Sequence, residues 1–344
     1  MFAKKIGIDL GTAAMRVYVR GEGIVIDEPA LAAVEARSGN LLAAGREARE
    51  LAAHAPRRVR LVRPLTGGAI ADPDVATRLL RHLILRAQGR QRLFRPEVMM
   101  CVASAASGRD RRVLTEAAIS AGARQAWLIE TPVAAALGLG LPVAEAGPQG
   151  ICDLGAGSVQ AAVISRSGVV AVAAEPGGGH ALDETIAQMV LERHGVRLDE
   201  TAAEALKLAL GSALPQDASL AAEVSGVAGA GGGAAAPSVT EGAAAPSVTA
   251  AELTGAMTPW LRSTASLVRG VVEQTPAELA FEVGRRGFHL TGGGALLRGI
   301  DRYLAEETGI PCRVGNDPLT CAVLGTKRAL GEFEVVQRRQ LYLR

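Results

Sequence analysis

Three short stretches carry residues suited to phosphate chemistry: Asp9-Leu10-Gly11-Thr12, Asp153-Leu154-Gly155-Ala156-Gly157-Ser158 and Leu290-Thr291-Gly292-Gly293-Gly294. Each follows an apolar run that reads as a strand. Glycine lets backbone amides approach phosphate oxygens closely, and such amides in a turn or at a helix start form an anion nest. Asp9 and Asp153 would hold a magnesium ion through water. A structural glycine turn explains any one of these stretches alone. Two Asp-Leu-Gly hairpins and a Thr-Gly-Gly-Gly turn, in this order and spacing, form a pattern.

The elements that must position these turns follow from periodicity. "KKIGIDLGTAAMRVYVR" reads as strand, turn, strand, and "GIVIDEPALAAVEA" as further strand material. "DVATRLLRHLILRAQ" has apolar positions at helical spacing, and "PEVMMCVAS" returns as a buried strand. "SGRDRRVLTEAAISAGA" is a polar-capped helix ending at Gly122. In "AWLIETPVAAALGLG" a strand runs into a helix near Glu130, with Thr131 expected as N-cap and Pro132 at the first helical position. "GICDLGAGSVQAAVIS" then repeats the opening hairpin, with Asp153 standing 144 positions after Asp9. A duplicated half is expected. Helices at "ALDETIAQMVLERHG" and "DETAAEALKLALGSA" come next, and "GAAAPSVT" occurs twice, at 233–240 and 242–249. The Gly/Ala-rich stretch at about 226–247 is low complexity and reads as a surface loop. "TAAELTGAMTPWLRSTASLVRGVVEQ" is a long helix, and "GFHLTGGGALLRGIDRYLAEETG" is strand, glycine turn and helix.

Composition sets the class. The 344 residues suffice for about two domains, and 49% apolar content can furnish a core for each. With 3% aromatics, Ala, Leu and Val must do most of the packing. Cys101, Cys152, Cys312 and Cys321 lack metal-ligand spacing and read as buried thiols of a reducing compartment. No apolar run is long enough to span a membrane, and "MFAKKIGIDL" lacks signal-peptide features, so a cytoplasmic location is expected. Residues 1–130 carry 21 Lys/Arg against 13 Asp/Glu, and the rest 16 against 22. That asymmetry fits either ordinary surface scatter or a face for an anionic surface.

The order of the turns matches the actin, Hsp70 and sugar-kinase ATPase superfamily, and within it the chain most closely resembles the bacterial actin MreB and the MreB-like proteins. The resemblance runs from "IGIDLGTA" to "LGTKRALGEFE" through "RPLTGGAIAD", "AGARQAWLIETP", "AAALGLGLPV", "LTGGGALLRGID", "ETGIP" and "DPLTCAVLGT", sparing residues 212–250. It implies an α/β actin-like ATPase fold with two related ribonuclease-H-like domains around a nucleotide cleft. Residues 1–140 plus 318–344 would form the first domain and 141–317 the second. It also implies ATP or ADP with Mg2+ as cofactors. Phosphate contacts would come from Gly11, Thr12, Ala13, Gly155, Ala156, Gly157 and Ser158, and metal coordination from Asp9 and Asp153. Adenosine contacts would come from Glu204, Lys207, Gly292, Gly293 and Gly294. Glu204 and Lys207 equally suit a surface pair three residues apart on a helix.

Departures from the family pattern bear on catalysis. Ala14 and Met15 stand where Asn and Thr are usual, Ala156 and Val159 alter the usual Gly-Gly-Gly-Thr-Thr loop, and Ser158 keeps one hydroxyl. Thr131 replaces the second residue of a Glu-Glu-Pro motif, the glutamate that orients the attacking water. Glu130 remains as its neighbour. His180 and Ala181 replace acidic residues, and Ala209 a glutamate. Phosphoryl transfer depends on placing a water in line and stabilising charge, so the expectation is retained binding with slowed hydrolysis, Ser158 and Glu130 being the catalytic candidates left.

In "GRQRLFRPEV", Leu93 and Phe94 lie among Arg90, Arg92 and Arg95, which suits insertion at an anionic lipid surface; covering the core at an element junction is the other reading. The resemblance implies filaments of the protein with itself along the inner face of the cell membrane, partnership with cell-wall synthesis or morphogenesis proteins, and no nucleic-acid partner. A non-polymerising nucleotide-binding adaptor stays open. A small-molecule kinase would need a catalytic aspartate and a substrate pocket that the sequence does not display. A chaperone would need a peptide-binding domain.

Overall fold

The computed structural model describes residues 3–55, 57–89, 94–143, 147–166, 168–217, 219–224 and 246–331. Two five-stranded sheets of identical order organise them. In one, Gly23–Pro29, Ala14–Val19 and Lys5–Leu10 form an antiparallel meander, which Glu97–Val102 and Gln125–Glu130 extend in parallel. In the other, Gly168–Pro176, Ser158–Ser165 and Gln149–Leu154 form the meander, and Phe288–Thr291 and Cys312–Val314 the parallel extension. The repeat visible in the two Asp-Leu-Gly hairpins is thus a repeat of topology. This is an actin-like fold.

Parallel strands need crossover helices, and helices on both faces bury a sheet twice over. Gln149–Leu154 and Ser158–Ser165 are accordingly buried along their whole length. Side chains alternate along a strand, so Ala161 and Val163 join the core under Gly179–His194 and Ala250–Glu273. Ala162 and Ile164 face the other way. They meet Met99 and Ile129 of the first sheet in a shared core built with the helices Thr131–Leu139 and Cys321–Gly331.

Those two helices cross at backbone distance. A Cβ at Gly138 would overlap the Cys321 carbonyl, and one at Gly325 the Ala134 carbonyl. Small residues at the crossing therefore hold the sheets together.

One local expectation changes, and another gains detail. Thr131 is the first residue of its helix, with Glu130 at the N-cap position and Pro132 within the first turn; the Thr131 hydroxyl donates instead to the Val102 carbonyl at 3.2 Å. The segment "GIVIDEPALAAVEA" divides into Gly23–Pro29 and Ala32–Glu35, which belong to different sheets. Proline cannot donate to a ladder, and Pro29 is where the first strand stops. Ala32–Glu35 is the centre of a small sheet with Leu41–Ala44 and Val59–Val62, covered by Gly45–His54. The long helix appears as Ala250–Glu273, started by a reciprocal Thr249/Glu252 capping box.

All four cysteines are free, with Cys101, Cys152 and Cys321 buried. Among the described residues no helix is long and apolar enough to cross a membrane. Leu93, with Arg90 and Arg92, lies outside the described residues, while Phe94 is 50% exposed. The Gly/Ala-rich stretch lies outside them too, except for Pro246 and Ser247.

Candidate functional site

Both Asp-Leu-Gly hairpins turn in the same way. Gly11 N donates to Ala14 O at 2.9 Å, and Gly155 N to Ser158 O at 3.0 Å. Each turn leaves its middle amides, those of Thr12 and Ala13 and of Ala156 and Gly157, without a backbone acceptor among the described residues. Amide groups are obligatory hydrogen-bond formers, so such a pair of turns is a site for an anion or ordered water.

The two turns touch each other. A Cβ at Gly157 would overlap the Thr12 hydroxyl and lie 2.7 Å from Gly68 N. Carbonyls of the second turn accept from the start of the next helix, Gly155 O from Gly179 N and Ala156 O from His180 N, both at 2.9 Å. The first amides of that helix are thereby spent on bracing the turn.

A cleft of about 430 Å³ opens over these turns. Its walls include Asp9, Gly11, Thr12 and Ala13 from the opening hairpin, and Asp153, Gly155, Ala156, Gly157 and Ser158 from the second. Glu204, Lys207, Gly292, Gly293 and Gly294 line it as well. The third turn needs glycine: Gly292 has φ +79°, and a Cβ there would crowd the Leu154 carbonyl and Asp153 Oδ1. Leu208 and Leu296, both largely exposed, add an apolar edge beside the glycines. The cleft thus joins a polar, amide-lined floor to an apolar edge.

Asp9 and Asp153 close the floor. Burial raises the Asp9 carboxyl to about 6, the nearby Arg16 charge lowers it in part, and Asp153 raises it further. Burial also raises Asp153, against a hydrogen bond from the Thr291 hydroxyl at 2.9 Å. A buried acid beside a half-buried one is costly unless a cation balances their charge. The donor set fits a hydrated Mg2+, an oxygen-seeking ion that keeps several waters and takes one or two carboxylates. No group of three or more potential metal-ligating side chains occurs among the described residues.

Lys207 Nζ lies 2.7 Å from Asp183 Oδ1, as an ion pair outside hydrogen-bond geometry, and donates to Gly179 O at 3.2 Å. Its partner is therefore Asp183 rather than Glu204. Burial lifts Asp183 to about 6, with Lys207 opposing the shift. His180 lies 3.5 Å from Glu200, which also takes a 2.7 Å ion pair from Arg63. Burial, then the Arg63 charge, lowers the His180 pKa.

Among the catalytic candidates, Ser158 lines the cleft and Glu130 does not. Glu130 Oε1 accepts from Arg111 at 3.3 Å, outside the lining, and Thr131 takes the cleft position. Residues the sequence did not single out also line the site, chiefly Arg16, Asp183 and Gln160. Register is the signal for two of them, since Arg16 pairs with Asp9 and Gln160 with Asp153, each seven positions after its aspartate.

The family model for MreB/Mbl protein matches residues 3–338. The chain belongs to the MreB/Mbl family. It is 40% identical over 335 residues to the cell shape-determining protein MreB of Escherichia coli (strain K12), covering 96% of this chain and 94% of that one. Among solved structures, MreB5 of Spiroplasma citri bound to ADP superposes with a TM-score of 0.85 at 27% identity, covering 98% of each chain. The MamK double helical filament superposes at 0.78 with 18% identity, over 96% of this chain and 99% of that one, which speaks to the fold. The curated relatives are thus cell shape-determining proteins, and the solved structures share this chain's actin-like fold.

Proposed function

We propose that this protein binds ATP or ADP with Mg2+ in the cleft, assembles with itself into filaments at the inner face of the cell membrane, and helps to control cell shape and cell-wall synthesis. The observation that carries the reading is the pair of equivalent hairpin turns, whose middle amides line one cleft with the buried Asp153 and the half-buried Asp9. Likeness to MreB5, solved with ADP, supports the nucleotide, and likeness to a MamK filament supports self-association.

In this reading the amides of Thr12, Ala13, Ala156 and Gly157 hold phosphate oxygens, and the start of Gly179–His194 braces the second turn. Leu208, Leu296 and Gly292 to Gly294 receive the base, and Glu204 and Lys207 flank the sugar and base. Asp9 and Asp153 hold the metal through water; when bound, Mg2+ supplies neutralisation of phosphate charge. The residues 1–140 plus 318–344 and 141–317 act as the two jaws. Thr326 packing on Gly7 supports counting the last helix with the first jaw.

Hydrolysis is weak. In-line attack needs a group that fixes the water, and Thr131 offers the cleft a short hydroxyl already committed to Val102, while Glu130 is committed to Arg111. A loss of 10- to 1000-fold corresponds to about 1.4 to 4 kcal/mol of transition-state stabilisation.

Leu93 and Phe94 insert into the membrane, their arginine neighbours meeting lipid phosphates. Half-exposed Phe94 is consistent with that role. The test is sedimentation and electron microscopy of purified protein with ATP and anionic vesicles. Nucleotide-dependent filaments on vesicles are expected. Nucleotide binding without any assembly would favour a non-polymerising adaptor, a second reading that the diverted Glu130 also fits.

A further inference from the structure

We propose that Arg111 is a positioning residue that ties the two halves together beside the floor of the cleft, and that this tie slows nucleotide release. The inference rests on the nucleotide reading above and deepens it, since it names the side chains that govern how long a nucleotide stays.

The tie begins at a helix start. Ser107 and Asp110 cap Gly108–Ser120 reciprocally, the Ser107 hydroxyl accepting from Asp110 N and the Asp110 carboxylate from Ser107 N. Side chains of a helix lean toward its N-terminus, so Arg111, at the end of the first turn, reaches back over the loop that leads into it. Its Nε donates to Ala106 O and its Nη2 to Ser104 O, each at 3.1 Å. Glu130 Oε1, 3.3 Å from the same Nη2, supplies the counter-charge. A guanidinium holds its donors in one rigid plane, so three acceptors around it fix the path of the loop.

That loop holds the other half. Ser104 follows Glu97–Val102 of the first sheet, and its amide donates to Gln160 Oε1 at 2.7 Å. Gln160 is buried in Ser158–Ser165 of the second sheet, opposite Asp153 in the antiparallel register. Ala103 and Ala106 of the loop line the cleft, whereas Arg111 does not. Arg111 therefore acts on the site through Ser104, whose carbonyl the guanidinium holds and whose amide carries Gln160. Parting the halves here either breaks the Ser104–Gln160 bond, which strips a buried acceptor of its donor, or drags the loop away from Arg111. Glu130 has a task in this arrangement that involves no water: it keeps the arginine in place.

The test follows release of labelled ATP, with magnesium, into excess unlabelled ATP from wild type, Arg111→Met, Gln160→Leu and the double variant, with urea midpoints measured in parallel. Each single variant should release ATP about tenfold faster, because hydrogen bonds to a charged or buried group are lost. The double variant should stay within about twofold of the faster single one, since both changes cut the same tie, whereas independent effects would multiply to about a hundredfold. Arg111→Lys should recover part of the retention, its ammonium still donating to the loop carbonyls. If Arg111→Met does not fold, Arg111→Gln completes the same cycle. Multiplying effects, or unchanged release in the Arg111 variant, would overturn the proposal while leaving the nucleotide site standing. Release rates that merely track the urea midpoints would overturn it too, by making Arg111 a general stabiliser of the fold. Wild type that binds no nucleotide would overturn the nucleotide reading itself, and the proposal with it.

Discussion

Arg111 donates to Glu130 Oε1 at 3.3 Å and to the carbonyls of Ser104 and Ala106, both at 3.1 Å, which fastens the carboxylate next to Thr131 away from the cleft. Proximity in sequence does not make Glu130 a substitute for a missing water-orienting group. A strand-to-helix junction turns successive side chains in different directions, and here Thr131 receives the inward one.

Restoring the inward carboxylate should therefore restore turnover. Thr131→Glu is expected to raise phosphate release from ATP at least tenfold, equivalent to about 1.4 kcal/mol of barrier. Glu130→Gln should leave it within about twofold. A colorimetric phosphate assay at saturating ATP checks both. A Glu130→Gln variant that loses turnover as completely as Asp153→Ala would contradict this geometry.

The contact between the hairpins makes a second demand. A methyl at Gly157 would collide with Thr12 and crowd the Gly68 amide. Gly157→Ala should lower stability by about 1 to 3 kcal/mol, the usual cost of overpacking, and abolish measurable ATP binding. Ala156→Gly, which only removes a methyl from the nest, should preserve binding. Urea denaturation and ATP titration separate the two effects.

Asp183 predicts a pH dependence. Its folded pKa of about 6 exceeds the ordinary 3.8, because burial outweighs Lys207, while Glu204 and Glu200 push the same way as burial. The native state then binds more protons than the unfolded state between those values, so stability falls as pH rises through that window. The contribution is fully present below about 4 and gone above about 6. Asp183→Asn should remove roughly 2 kcal/mol of the fall between pH 4 and 6.5, read as the difference between wild-type and variant urea midpoints. Identical pH profiles for the two proteins would refute the assignment.

Membrane contact rests on an apolar pair in a basic setting. The double change Leu93→Ser with Phe94→Ser should reduce pelleting with anionic vesicles severalfold, and raised salt should weaken the wild-type interaction. Pelleting unaffected by the double change would move Leu93 and Phe94 into the core-covering role.

The sequence made the floor of the site readable because its parts are local. An Asp-Leu-Gly turn contains its own strand end, carboxylate and amides, and its recurrence 144 positions on announces a duplicated fold. Arg16 and Gln160 were not readable in this way, since they reach the cleft through the pairing of each hairpin and sit among ordinary strand residues. Asp183 looks like any polar residue in "ALDETIA", and only the packing of Gly179–His194 against Glu200–Leu210 brings Lys207 to it. The strand material of "GIVIDEPALAAVEA" was readable, but its division between two sheets was not, because sheet membership is decided by pairing with distant strands. Thr131 was misplaced as a cap because the adjacent Pro132 made that position look like a helix start, whereas its hydroxyl is taken by Val102.

The central claim is a cleft that binds ATP and holds it nearly intact. Its most direct test follows labelled ATP bound to purified protein with magnesium and anionic vesicles, measuring retained nucleotide and released phosphate in the same sample, with Asp153→Ala as control. The account predicts stoichiometric retention in wild type with little phosphate released, and loss of retention in Asp153→Ala. Rapid phosphate release abolished by Asp153→Ala would contradict it, and would mean that this cleft orients water without a carboxylate at position 131.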